Sequence, residues 1–164
     1  MFNIKEIDRI IIVLNRTILK GENSVINLFS HYANGEKLYE KIVGKVLAKY
    51  ELTYMEFNII MFLYNNPQYD TQAQLVSIRH LAKSHVSTSV KELVNRNFLT
   101  SEFYEKNHKT SHLKLTNLTD EIVRDGLEAQ KEYRKVLTEG FTKEEIGELL
   151  EYISRIDENI NKNL

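Results

Sequence analysis

The chain has no cysteine, so disulfides, thiolate zinc sites and cysteine-based redox sensing are excluded. Proline occurs once, at Pro67, and glycine six times, with no low-complexity linker, so helices broken by short turns are expected. Long hydrophobic runs are missing too. The longest purely aliphatic stretch is "IIIVL" at 10–14, far short of the roughly 20 residues that cross a bilayer. Acidic residues interrupt the N-terminal "MFNIKEIDR", which lacks the layout of a signal peptide. A soluble, cytoplasmic protein with no membrane partner is the expectation. Catalytic signatures are also wanting: no serine or threonine sits in a nucleophile motif, and no glycine-rich phosphate loop appears. The carboxylates of 139–158 read as a solvated helix face. Neither an enzyme nor a cofactor is expected.

What is present suits one compact domain with a real core, or a small domain with long arms: 164 residues, 42% hydrophobic and 27% charged. The net charge of −1 conceals a distribution. Residues 1–78 hold 8 basic and 8 acidic side chains, 79–114 hold 7 and 3, and 115–164 hold 7 and 12. Four of the five histidines also fall in the cationic window. Local charge sets the field that a polyanion meets, because screening acts over about 8 Å at physiological salt.

An apolar seam with alternating 3/4 spacing runs from Ile4 through Ile11 and Ile18 to Tyr32, a stripe suited to self-association. Gly21 and Gly35 are expected to divide it into separate helices, with another helix at about 36–50. Three hydroxyl residues followed three positions later by Glu or Gln mark helix starts: Thr53/Glu56, Thr71/Gln74 and Thr142/Glu145. They open helices at about 54–65, 72–79 and 143–161. A long amphipathic helix is predicted at 117–138, and a strand at 111–116 pairing with 99–104 through a polar tip at 105–110.

The segment "LAKSHVSTSVKELVNRNFL" at 81–99 is the most telling. On a helical wheel Val86, Val90, Leu93 and Val94 cluster on one side and must pack inward. Opposite them lie Ser84, Thr88, Lys91 and Asn95, flanked by His85 and Ser87. Short hydroxyls are poor interior helix formers. They do suit close approach to base edges and phosphates in a major groove, where long charged side chains would hold a helix away. The preceding short helix, the turn "RHLA" and this helix have helix-turn-helix spacing, and the hairpin behind them adds a wing.

From "ELTYMEFNIIMFLYNNP" through "HLAKSHVSTSVKELVNRNFL" to "HLKLT", the chain resembles the MarR-type family of bacterial transcription regulators, over roughly residues 36–138. The resemblance implies a mainly helical fold with a small β-hairpin, and a winged helix-turn-helix in each subunit of a homodimer. It implies N-terminal helices (1–50) and C-terminal helices (117–164) that dimerise around a DNA-binding lobe at 51–116. It also implies a recognition helix in the major groove, a wing tip in the adjacent minor groove, and, for many members, a small-molecule effector bound between dimer helices and lobe. Two positions depart from the family pattern. Where the wing usually carries Asp-x-Arg, this chain has Asn107 and Lys109, which keep a charge but lose the planar fork and its acidic brace. Where glycine often precedes the first wing strand, Asn97 stands, a residue that tolerates a left-handed backbone.

The resulting expectation is a homodimeric regulator on a pseudo-palindromic double-stranded DNA site. Lys83, Ser84, His85, Ser87, Thr88 and Lys91 form its recognition-helix contacts, Asn107, His108, Lys109 and Thr110 its wing tip, and Arg96 a phosphate contact. His80/His85 and His108/His112 lack a nearby acidic third ligand, so no metal site is expected. The competing reading is a dimeric interaction protein of the same fold that does not bind DNA, such as an anti-repressor or sequestering partner.

Overall fold

The computed structural model describes residues 23–79, 81–104 and 107–163, with side chains described from Asn34 onward except at 104, 107–109, 157 and 160. Most of the N-terminal seam, including Gly21, lies outside the described residues. The order is helix α1 (Asn23–Tyr50), α2 (Tyr54–Asn65), α3 (Gln72–Arg79), α4 (Lys83–Asn95), strands β1 (Leu99–Tyr104) and β2 (Asn107–Leu115), a 3-10 turn (Asn117–Thr119), α5 (Asp120–Leu137) and α6 (Lys143–Asn161). Two compact units divide the chain: one spans Val43–Ala129, and the other holds the described parts of 1–42 and 130–164.

Local signals start the helices of the Val43–Ala129 unit. The Thr53 hydroxyl accepts from the Glu56 N–H at 3.2 Å, and the Thr53 N–H donates to the Glu56 carboxylate at 2.7 Å. That closes the capping box that the sequence predicts, and α2 runs on until "NNP" stops it. Phe57, Ile59, Ile60, Met61, Phe62 and Leu63 are all buried, so α2 is apolar nearly all round, as a central core helix must be. Val43 and Val46 from α1 and Ile122 and Val123 from α5 are buried in the same unit.

Gly126 of α5 is where this core leaves no room. A Cβ there would lie 2.6 Å from Met61 Sδ and 3.1 Å from the Phe57 ring. Alanine is the better helix former by about 1 kcal/mol, yet overpacking a closed core costs about 1–3 kcal/mol. Gly126→Ala is therefore expected to destabilise the protein by up to about 2 kcal/mol, the balance of the two effects, seen as a lower denaturant midpoint in urea unfolding.

The end of α1 is tied to α5 by an exposed polar cluster. Lys49 Nζ lies 2.7 Å from Asp125 Oδ2, and the Tyr50 hydroxyl donates to the same oxygen at 2.8 Å. The Lys49 ammonium, and then the Tyr50 hydroxyl, hold the Asp125 carboxyl below the usual carboxylate range. A carboxyl with a depressed folded-state pKa stabilises the fold above its unfolded value, and that contribution disappears as pH falls through the folded one. Asp125→Asn is accordingly expected to lower the melting temperature at pH 7 and to flatten its fall below about pH 4. Thermal melts across that range check it.

In the other unit α1 continues through Gly35 unbroken, against the expected division there. Glycine weakens a helix interior but does not end it without a competing cap. Here it lets Tyr133 approach: the Tyr133 hydroxyl donates to the Gly35 carbonyl at 3.1 Å, and a Cβ would sit 3.2 Å from that hydroxyl. The rings of Tyr39 and Tyr133 pack with centroids 5.1 Å apart, and the Gln130 amide donates to the Tyr39 hydroxyl at 3.3 Å. Helix α6 starts at the Thr142/Glu145 capping box. None of its described side chains is buried, although Ile146, Leu149, Ile153 and Ile156 recur at 3/4 spacing. Among the described residues no helix is long and apolar enough to cross a membrane.

Candidate nucleic-acid interface

Helix α3 begins at the second predicted capping box: the Gln74 N–H donates to the Thr71 hydroxyl at 3.3 Å, and the Thr71 N–H donates to the Gln74 side-chain oxygen at 3.0 Å. His80, in the turn that follows, lies outside the described residues. Helix α4 then buries Val86 (0% exposed), Val90 (2%) and Leu93 (0%), and Val94 is half-buried. This anchoring fixes which face points out. Lys83, Ser84, His85, Ser87, Thr88, Lys91 and Asn95 are all exposed. Ala82 precedes the helix and provides no side-chain cap, so no side chain of the cap occupies the N–H groups of the first turn.

At the far end of α4 the chain reverses through Asn97, whose φ of 59° is left-handed. The Phe98 N–H donates to the Leu93 carbonyl at 2.9 Å, and the Thr116 hydroxyl donates to the Asn97 carbonyl at 2.7 Å. Asparagine thus performs the turn that glycine usually makes. Arg96, expected as a phosphate contact, also makes contacts within the lobe. Its guanidinium donates to the Glu51 carbonyl at 2.8 Å and to the Tyr50 carbonyl at 2.7 Å, and it stacks over the Phe98 ring. Both carbonyls belong to the end of α1, where Glu51 is left-handed at φ 52°. The fork satisfies carbonyls that a helix C-terminus leaves open. A side chain bound in this way braces the lobe.

The wing strands pair antiparallel from Leu99↔Leu115 to Phe103↔Ser111, and then Tyr104 pairs with Asn107. Residues 108–110 therefore have no counterpart on β1 and form a bulge, so β2 takes in 107–110, which the sequence pattern assigns to the polar tip. Asn107, His108 and Lys109 belong to β2 by backbone, their side chains lying outside the described set, and Thr110 is half-buried. Lys114 pairs with Glu102 at 2.9 Å, and that ammonium draws the Glu102 carboxyl below the usual range.

A contact that the sequence does not signal ties the wing to α3. His112 Nδ1 lies 2.9 Å from both carboxylate oxygens of Asp70, 42 residues away. Among the described residues no three His, Cys, Asp or Glu side chains gather as a metal site. Of the aromatic residues between 50 and 64, Phe57 and Phe62 are buried in the core. Tyr64 lines a recess of about 560 Å³ with Leu115, Asn117, Asp120, Arg124 and Leu127.

Residues 50–106 match the family model described as the MarR family. No curated protein matches the chain. A MarR-family transcriptional regulator of Listeria monocytogenes, solved in complex with a 26mer DNA, is similar with a TM-score of 0.70 and 19% identity, over 88% of this chain and 92% of that one. A MarR transcriptional regulator of Methanosarcina mazei Go1 has a TM-score of 0.70 and 18% identity, over 84% and 98%. MarR of Staphylococcus aureus, solved with salicylate and kanamycin, has a TM-score of 0.67 and 18% identity, over 87% and 96%. Residues 50–106 thus match the MarR family model, and over most of its length the chain has the fold of solved MarR-type proteins.

Proposed function

We propose that this protein is a non-enzymatic, cytoplasmic transcription regulator that binds a pseudo-palindromic duplex as a homodimer. The carrying observation is the two-sidedness of α4: a stripe buried to within 2% of completeness sets outward a row of short hydroxyls and two lysines. Lys83, Ser84, His85, Ser87, Thr88 and Lys91 are the proposed recognition-helix contacts, and Asn107 to Thr110 the wing contacts. The uncapped first turn of α4 adds N–H donors that favour a phosphate. Arg96 is left out of the contact set because its guanidinium is bound to carbonyls. The Listeria monocytogenes relative solved with DNA supports the reading.

The apolar stripe of α6, with Leu149 and Ile156 exposed in a single chain, supports the homodimer. Response to a small effector is part of the proposal through the relative solved with salicylate and kanamycin. Selection from a random duplex pool tests the function: two half-sites about one helical turn apart are expected, and a pool without enrichment would favour the protein-interaction reading. On the selected site, Lys109→Ala should weaken binding similarly across sequences and lower the salt slope by about one. Thr88→Ala should change sequence preference instead.

A further inference from the structure

The hairpin and the helix-turn-helix meet at one small joint. His112 Nδ1 sits 2.9 Å from both oxygens of the Asp70 carboxylate. Beside it the Leu113 N–H donates to the Asp70 carbonyl at 2.7 Å, and Thr71 and His112 form an isolated antiparallel bridge. Thr71 is also the residue that caps α3. A single dipeptide, Asp70–Thr71, therefore starts the first helix of the helix-turn-helix and holds the strand that leads to the 108–110 bulge. An ionised carboxylate can only accept, so Nδ1 carries the hydrogen between the two groups. The two side chains are 18% and 31% exposed, so the contact is part-buried between strand and helix start. Its consequence lies in orientation.

We infer that Asp70 and His112 are positioning residues for DNA binding, whose contact fixes the wing relative to α3 and α4 so that wing and recognition helix meet one duplex together. This rests on the DNA-binding reading above, and it places a determinant of affinity on two residues that need not touch DNA.

The test uses the full-length protein with His112→Leu, which removes the donor, and His112→Asn, whose amide nitrogen can occupy the place of Nδ1. In the free protein, amide hydrogen exchange across 107–115 should quicken in the leucine variant and stay near wild type in the asparagine variant, with α2 unchanged in both. On the selected duplex, His112→Leu should weaken binding about five- to tenfold and lower the salt slope by about one, as Lys109→Ala does. Added to Lys109→Ala it should cost less than about twofold more, because both changes remove the same wing contribution. His112→Asn should bind within about twofold of wild type. Unchanged wing exchange, an undiminished salt slope, full additivity with Lys109→Ala or failure of the asparagine variant would each overturn the assignment. A wild-type protein that binds no duplex at the lowest salt would instead overturn the DNA-binding reading, and a faster-exchanging wing in that protein would reduce the joint to a structural contact.

Discussion

Replacing Leu149 and Ile156 together by glutamate is expected to make the protein monomeric and to lower its affinity for the selected duplex by about two orders of magnitude or more. Ile146, Leu149, Ile153 and Ile156 lie on one stripe, and Leu149 and Ile156 are 44% and 43% exposed in the single chain. An amphipathic helix of 19 residues with no buried described side chain has not found its partner surface within the described chain. Two carboxylates set into that stripe would be desolvated by any apolar partner and would repel their symmetry mates. Two linked lobes bind a two-half-site duplex more tightly than either alone by about 10²–10⁴, so losing the proposed dimer would lose that factor. Sedimentation velocity reads the assembly state and anisotropy the affinity. A variant that stays dimeric and binds as wild type would show that α6 is not the subunit interface.

Leu93→Ala is expected to cost about 2–5 kcal/mol of stability, the range for emptying a closed aliphatic site. Leu93 is fully buried on the inner side of α4, so its truncation leaves a cavity in the core beneath the proposed recognition surface. Thr88→Ala on the outer side of the same helix should change stability by less than about 0.5 kcal/mol, as surface substitutions do. Urea unfolding of the two variants compares the faces directly. A Leu93→Ala cost under about 1 kcal/mol, or a larger cost at Thr88, would mean that the helix is turned the other way.

What could be read from the sequence depended on the range of the interaction that decides it. All three capping boxes form, because the groups involved lie three residues apart and need no tertiary partner. The inward stripe of α4 and the left-handed Asn97 were legible for the same reason: periodicity and backbone tolerance are local properties. Longer-range choices were not. Arg96 looked like a phosphate contact because its charge is visible and its partners, the carbonyls of Tyr50 and Glu51, are not. Every residue has a carbonyl, so nothing in the sequence marks those two. Asp70 and His112 are likewise joined only by the fold. Gly35 misled because glycine breaks helices on average, whereas here the Tyr133 hydroxyl uses the space that a Cβ would fill.

The central claim is tested most directly by fluorescence anisotropy of the purified protein on the DNA upstream of its own gene, with a scrambled duplex of equal length as control. Salt is raised from about 50 to 200 mM, a range over which phosphate-dominated binding falls steeply. The account predicts nanomolar binding to the native fragment that outlasts the scrambled duplex as salt rises. No binding to either duplex at the lowest salt would contradict it and give the fold to protein–protein work instead.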